Sequence, residues 1–311
     1  MARVLDVAAG LPATPALVPV APGVFAYLQE HAGWCVNNSG AVVRADGTMV
    51  IDTCATQART EAQLAAVRAL AAPPIDYLIN THFHGDHVFG GCFFPADTRV
   101  VAHAETAREL AQSGLGLTGL WPDVGWGQVS VRLPDITYDT RLVLDDGYRS
   151  VELIHVGPAH TRGDTVVWLP EERVLFAGDV IMSGRTPFLL MGSLSGMHAA
   201  VGLLRELRPG VVVPGHGPLG GPGLLDATAR YLDWLDGIAT AGYRAGLTPS
   251  SVAAQANSGE FARWGDPERL VANLHRAYAE LDGAVPGAPL DVVSVFAEMV
   301  ALNGGLPECL A

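Results

Sequence analysis

The chain has 311 residues, with 19 Lys and Arg against 32 Asp and Glu, which gives a formal charge of −13. Apolar residues make up 49% and charged residues 16%, a balance typical of a folded globular protein and not of a disordered one. All 19 basic residues are Arg, and nucleic-acid binding depends on clustered positive charge. We therefore expect a small-molecule substrate and no nucleic-acid partner.

The first 23 residues contain no uninterrupted apolar stretch, because the segment is broken at Pro12, Pro15, Pro19 and Pro22. A signal peptide needs a continuous apolar segment, and a spanning helix needs about 20 apolar residues. We therefore expect a cytoplasmic protein that does not bind a membrane. The cysteines lack CxxC spacing, so a disulfide scaffold is not predicted.

The first part of the chain is predicted to contain short strands and two helices. An Ala-rich segment with apolar residues at helical spacing precedes Pro73 and Pro74, which favours a helix that ends there. Helices are predicted over residues 56–70 and 105–112. Turns are predicted at 38–40 and 45–47. Strands are predicted over residues 24–28, 33–37, 41–44, 49–51, 75–79 and 98–102.

The segment 113–138 holds five Gly and two Trp with little periodicity, so we predict a long surface loop of the kind that often carries function. A second irregular apolar segment covers 181–197. Strands are predicted over residues 141–144, 150–154, 165–169, 174–177 and 211–213. The remainder is predicted to be helical, over residues 199–207, 225–245, 249–256, 267–281 and 290–302.

The motif that points to chemistry is His82-Phe83-His84-Gly85-Asp86-His87, which directly follows a predicted strand. His82 and His84 are two residues apart, so they face the same side of an extended segment. After a turn at Gly85, Asp86 and His87 can face the same space from another side. Imidazoles with a carboxylate suit Zn²⁺, Fe or Mn, so the motif predicts a metal site.

Three further polar residues follow predicted strands, each with a Gly nearby. His160 follows the strand that ends at residue 154, and Asp179 and His216 each directly follow a Gly. Strand ends on one edge of a sheet converge on one crevice, where α/β active sites tend to lie. We therefore expect these three side chains to join the HxHxDH motif.

With these motifs the chain resembles the metallo-β-lactamase-fold hydrolase superfamily over about residues 24–218. The resemblance rests on Ile51-Asp52-Thr53, the HxHxDH motif, His160, Gly178-Asp179 and Pro214-Gly215-His216-Gly217. It implies an α/β (α+β) fold, a four-layer αββα sandwich with extra C-terminal helices. We expect residues 1–222 to form the catalytic domain. Residues 223–311 would be a helical extension that packs on or caps it, or that makes a homodimer.

The resemblance also implies a dinuclear site, with two Zn²⁺ per chain and Fe or Mn as possible substitutes. His82, His84 and His160 would hold the first metal. Asp86, His87 and His216 would hold the second, and Asp179 would bridge both. Two cations make hydroxide available near neutral pH and polarise the attacked carbonyl. Asp86 is the candidate for handling the proton.

Other candidate residues surround this set. Asp52 and Asp164 are candidates for fixing the imidazole tautomers, or are plain strand-end residues. His103 is expected to have a structural role at the start of a helix. The two irregular segments either pack on the sandwich or line an apolar substrate pocket. The candidate substrate contacts are Trp121, Trp126, Arg185 and Phe188. Since Lys is absent, only Arg can bind an anionic substrate, and Arg185 is the best-placed candidate.

The predicted function is hydrolysis of an ester-like bond in a small, largely apolar molecule such as a lactone or thioester, by a metal-bound hydroxide. One alternative is a mononuclear non-haem iron dioxygenase that acts on a persulfide or thiol. Another is β-lactam hydrolysis. A nuclease or phosphodiesterase is disfavoured by the negative charge and the absence of Lys. The composition, rich in Ala, Gly, Arg and Pro, is typical of a GC-rich bacterial genome.

Overall fold

The computed structural model describes residues 10–311, and it contains two β-sheets packed face to face. The expectation about a leader segment falls partly on residues 1–9, outside the described residues. Strands of the first sheet lie side by side in chain order. They are β1 (Ala16–Ala21), β2 (Val24–Leu28), β3 (Ser39–Val43), β4 (Thr48–Ile51), β5 (Ile75–Ile79), β6 (Arg99–His103) and β7 (Ile136–Tyr138).

The second sheet has five strands in the order β12-β11-β10-β9-β8. They are β8 (Arg141–Asp145), β9 (Ser150–His155), β10 (Thr165–Leu169), β11 (Val174–Met182) and β12 (Val211–His216). Every residue of β10 and β11 is buried, and their nearly continuous apolar sequence is what a strand covered on both faces needs. The edge strand β8 instead alternates exposed and half-buried residues.

Apolar side chains from the inner faces of both sheets form one core. Val42 and Ile51 of the first sheet pack in the same cluster as Leu153, Val167 and Phe176 of the second. This burial removes a large apolar area from water and so holds the two sheets together.

The helices cover the outer faces of the sheets. Leu64 and Val67 of α1 pack on the first sheet, and Val201 and Leu204 of α4 pack on the second. The arrangement is therefore the predicted αββα sandwich. The helices are α1 (Gln57–Arg68), α2 (Gly85–Val88), α3 (Ala104–Ser113), α4 (Leu194–Leu207), α5 (Gly223–Arg244), α6 (Pro249–Gln255), α7 (Arg269–Leu281) and α8 (Val292–Asn303).

The C-terminal helices pack on the sandwich in two places. Leu232 and Leu235 of α5 enter the core that covers the second sheet. Phe296 and Met299 of α8 join a separate cluster with Trp34, at the end of the sandwich that carries the histidines. The division at residue 222 and the homodimer stay predictions. Among residues 10–311, no helix is long and apolar enough to cross a membrane.

Some predicted elements differ from the structure. Residues 33–37 form a loop and not a strand, and the predicted turn at 38–40 is mostly the start of β3. The apolar sequence of 33–37 is explained by burial, since Cys35 and Val36 are almost fully inaccessible. The sequence does not predict strand β1, because Pro19 lies within it and Pro15 and Pro22 flank it. Helix α4 begins five residues earlier than expected.

Candidate metal centre

The HxHxDH motif lies where β5 ends and α2 begins. His82 and His84 are in the extended link between them, and Asp86 and His87 belong to the single turn of α2. The turn is tight enough that a Cβ on Gly85 would lie 2.4 Å from the ring of Phe89. Glycine at this position therefore lets the Phe89 ring pack directly against the backbone of the motif.

The other three predicted residues come from the second sheet. His160 lies in the loop between β9 and β10, Asp179 lies within β11, and His216 ends β12. The register between β11 and β12 shifts around Gly178, next to Asp179. A Cβ on Gly215 would lie 1.9 Å from Asp179 Oδ1, so the missing side chain makes room for the carboxylate. Both sheets thus contribute to one edge of the sandwich.

The seven residues form two adjoining groups of possible metal-binding side chains. In each group the candidate ligand atoms all lie within 4.8 Å of one another. Asp179 lies between the groups, with Oδ2 3.4 Å from His160 Nε2 and 3.4 Å from His216 Nε2. The first group is His82, His84, His160 and Asp179, and the second is Asp86, His87 and His216.

The nitrogen atoms that face away from this centre are held by neighbouring groups. His87 Nδ1 lies 2.8 Å from Asp52 Oδ2, and His216 Nδ1 lies 3.0 Å from the Val36 carbonyl oxygen. His160 Nδ1 contacts the Phe188 carbonyl oxygen at 2.5 Å. Such contacts fix the tautomer, so that the other ring nitrogen carries a free electron pair toward the centre.

Asp52 is the most constrained of these supports. It has a φ of 58°, a left-handed conformation uncommon for a residue other than Gly. Its carboxylate also accepts hydrogen bonds from the Thr81 backbone N–H at 2.8 Å and the Thr81 hydroxyl at 2.7 Å. Asp164, within the part of the chain that the structure describes, forms no hydrogen bond with an imidazole. It accepts hydrogen bonds from the backbone N–H groups of Ala159 and Thr161, and so braces the loop that carries His160.

Several candidate ligand atoms of the centre lack a well-aligned hydrogen bond. Among residues 10–311, His82 Nε2, His87 Nε2 and Asp179 Oδ1 are buried and form no hydrogen bond of acceptable geometry, although His87 Nε2 and Asp179 Oδ1 lie 3.2 Å apart. Leaving a buried polar atom unpaired costs about 1–3 kcal/mol, and native proteins rarely do so without a reason. Imidazole nitrogens and a carboxylate oxygen that converge in this way fit a divalent cation.

The histidines of the two metal-binding groups differ in pKa. Burial lowers the pKa of His84 to about 3 and holds the pKa of His82 well below its usual range. Burial also disfavours a charged His216, but Asp179 and Asp86 outweigh it and raise the pKa of His216 to about 9. Neutral imidazoles are the form that binds a metal, so His82 and His84 are already in that form.

A cavity of about 70 Å³ lies over both groups. Phe188 lines it as predicted, together with Leu117 and Leu120 from the first irregular segment. Met182, Leu190 and Met191 of the second irregular segment also line it. The sequence did not indicate Arg269, Val292 and Phe296, since an apolar helix face looks the same whether it covers a core or a cavity. It also did not indicate Trp34 and Cys35, which lie in a buried loop.

Three predicted substrate contacts do not line this cavity. Trp121 packs behind the wall, with its ring 5.4 Å from that of Trp34, and its indole N–H donates to the Pro307 carbonyl. Trp126 donates to the Trp121 carbonyl. Arg185 lies 3.6 Å from Asp266 and lines a separate cavity. The burial of Trp121 and Trp126 is explained by their packing against neighbouring apolar side chains.

The family model of the metallo-beta-lactamase superfamily matches residues 32–216. The chain belongs to this superfamily. The family prediction is therefore confirmed, and the matched segment contains all seven candidate ligands.

Individual relatives agree with this assignment. The chain is 29% identical to the 2,4-dinitroanisole O-demethylase subunit alpha of Nocardioides sp., over 46% of this chain and 40% of that subunit. It is 27% identical to a metallo-beta-lactamase type 2 of Bacillus sp., over 64% of this chain and 74% of that enzyme. The chain thus spans less than half the length of the demethylase subunit.

A solved metallo-beta-lactamase from Pontibacter korlensis superposes with a TM-score of 0.60 at 23% identity, covering 71% of this chain and 99% of that chain. At this identity the likeness supports the fold alone.

Proposed function

We propose that the chain is a metal-dependent hydrolase that cleaves an ester-like bond, in a lactone, thioester or related acyl compound, within a small and largely apolar molecule. One observation carries the proposal: a cavity with mostly apolar walls lies directly over two converging groups of metal-binding side chains. A site with this combination can bind an apolar substrate next to an activated water.

In this proposal, some residues of the centre bind the metals and others hold the metal ligands in place. When bound, two divalent cations make hydroxide available near neutral pH and stabilise negative charge on the attacked carbonyl oxygen. Zn²⁺ is our first candidate, and Fe or Mn are alternatives. We assign His82, His84 and His160 to one cation, Asp86, His87 and His216 to the other, and Asp179 to both.

Asp86 is the residue we propose for orienting the attacking water and taking up its proton. Its side chain lines the cavity, and its Oδ2 lies 3.3 Å from His216 Nε2. A carboxylate at the cavity wall can accept a hydrogen bond from water that enters the cavity.

The apolar wall has two roles in this proposal. Phe188, Leu190 and Phe296 exclude bulk water, which strengthens electrostatic interactions inside the cavity. They also favour substrates whose acyl or ring portion is apolar. The name of the related demethylase subunit, which refers to the small aromatic ether 2,4-dinitroanisole, supports a substrate of this size.

The test combines metal analysis with a substrate panel. Protein purified without chelator is assayed for metal, and for hydrolysis of lactones, thioesters and a β-lactam. We expect about two divalent ions per chain, and we expect His216→Ala to lower this number and abolish hydrolysis. His198→Ala is the matched control, because His198 lies on α4, 4.0 Å from Asp233 and outside the centre.

Two other results would redirect the assignment. One iron per chain, with full metal retained in His216→Ala, would overturn the hydrolase proposal and favour the persulfide or thiol dioxygenase. Hydrolysis of the β-lactam alone would keep the chemistry but change the substrate class.

A further inference from the structure

A second cavity, of about 280 Å³, adjoins the metal cavity. Leu190, Met191 and Val292 line both cavities, so the two cavities meet at these side chains. The metal cavity has almost entirely apolar walls, apart from the His and Asp side chains of the two metal-binding groups and Arg269. The second cavity differs, because polar side chains form part of its wall, namely Glu109, Gln112, Ser113 and Arg162.

Arg162 is the cation of this second cavity. Its Nε donates to the Gly287 carbonyl at 2.9 Å, and a Cβ on Gly287 would lie only 3.2 Å from Arg162 Cγ. The aliphatic part of the Arg162 side chain is therefore held against the backbone at Gly287. Within the described residues 10–311, the two terminal nitrogens of the guanidinium have no hydrogen-bond or ion-pair partner. By contrast, Arg149 is paired with Glu172 at 2.6 Å.

The carboxyl group in the wall, that of Glu109, does not neutralise this charge. Burial is the main cause that raises the pKa of Glu109 to about 8, and the opposing effect of Arg162 is smaller. Glu109 Oε2 is buried and has no hydrogen-bond partner within residues 10–311. Near neutral pH the pair therefore presents one uncompensated positive charge next to an uncharged carboxyl group that can donate a hydrogen bond.

We propose that the second cavity binds a carboxylate at the far end of the substrate, and that Arg162 is the residue that selects it. This inference rests on the proposed function, because the scissile ester-like bond would lie in the metal cavity while the chain of the substrate passes Met191. A guanidinium with both terminal nitrogens free matches a carboxylate in a bidentate manner. The net charge of −13 repels anions in general, so the free guanidinium of Arg162 in this cavity wall is a specific feature.

The test uses matched pairs of 4-nitrophenyl esters with acyl chains of increasing length. One member of each pair ends in a carboxylate, and the other ends in the methyl ester of that carboxylate. At the best chain length we expect the acid to have a KM about 3- to 10-fold lower than its neutral partner, with similar kcat. Arg162→Gln should remove this ratio, and Arg162→Lys should keep part of it.

Arg108→Gln is the matched control. Arg108 lies on the same helix as Glu109 and its side chain is 61% exposed, so the change removes an equal charge outside the cavity. It should leave the KM ratio unchanged. If it lowers the ratio as much as Arg162→Gln does, the preference reflects overall charge and the inference is wrong.

A binding measurement separates this inference from the proposed function. Calorimetric titration compares adipic acid monoamide with adipamide, neither of which contains an ester. Tighter binding of the acid, lost in Arg162→Gln, would support the carboxylate site even if no ester were hydrolysed. Equal binding of the two compounds, or a preference that survives Arg162→Gln, would overturn it while leaving hydrolysis of neutral esters intact.

Discussion

The floor and the walls of the metal cavity are built by different physical means. The floor consists of His and Asp side chains from the strand ends of both sheets, and hydrogen bonds from behind fix their orientation. The walls are mostly apolar side chains from three loops and the C-terminal helices, which pack against one another. The floor lies inside the segment matched by the family model, whereas α7 and α8 lie outside it.

This difference indicates a division of labour. A metal site tolerates little change in ligand position, so its supports must be directional hydrogen bonds. An apolar wall needs only shape and hydrophobicity, so it can be assembled from separate segments. We therefore expect changes in the floor to affect metal binding and the rate of reaction, and changes in the walls to affect substrate affinity and stability.

The largest effect is expected for Asp179→Asn, because Asp179 lies between the two groups of ligands. An amide lacks the negative charge that faces both groups. We expect metal content to fall and kcat to drop by more than the roughly 10- to 100-fold typical of a supporting residue. Metal analysis and hydrolysis assays measure both, and Asp97→Asn, at an exposed position, is the control. Full metal content in Asp179→Asn would contradict its assigned role.

Asp52→Asn tests the support behind the floor. Asn tolerates a φ of 58° and keeps the shape of the side chain, so the fold should be preserved. The weaker hold on His87 Nδ1 should lower metal affinity or kcat by about 10- to 100-fold. Competition with a chelator measures the affinity. If affinity and kcat equal those of the unchanged protein, hydrogen bonds from behind do not determine the floor.

Phe296→Ala tests the wall. The ring of Phe296 lines the cavity and lies 5.6 Å from the ring of Trp121. We expect a loss of about 3 kcal/mol in the free energy of unfolding and a several-fold increase in KM for apolar substrates. Metal content should stay constant. Val293→Ala, on the same helix at a residue that is 77% exposed, should change stability by less than about 0.5 kcal/mol.

Loss of metal in Phe296→Ala would contradict the separate roles of floor and walls, since it would show that the wall also positions the metal ligands. Urea denaturation and metal analysis on the same preparation decide between these outcomes.

The floor was predictable from the sequence and most of the wall was not. Three His and one Asp in six residues after a strand are a dense signal that few structural roles explain. Arg269, Val292 and Phe296 give no such signal, because their helices have the apolar periodicity of any packed helix. Trp34 was assigned to a strand because its segment is apolar, whereas it belongs to a buried loop that faces the cavity. Contacts between distant segments decide these roles.

The smallest expected effect concerns the acid sensitivity of folding stability, at a histidine outside the metal centre. His103 was expected to be structural, and its Nδ1 accepts the Glu105 N–H at the start of α3 while its Nε2 donates to the Asp139 carbonyl. Its ring also stacks on His155, with 3.7 Å between centroids. Nδ1 can accept the Glu105 N–H only when the ring is neutral, and burial is the main cause that lowers the pKa of His103.

The sign follows from proton uptake on unfolding. Below about pH 6.5 the unfolded chain protonates this histidine before the folded chain does, so stability falls as the pH decreases toward the folded pKa. His103→Asn keeps a residue that can cap α3 and removes the titration. We expect a shallower loss of unfolding free energy between pH 6.5 and 5, by at most about 1.4 kcal/mol per pH unit. His31→Asn, at an exposed residue, should leave the slope unchanged. An unaltered slope in His103→Asn would show that His103 does not contribute to the acid sensitivity of the fold.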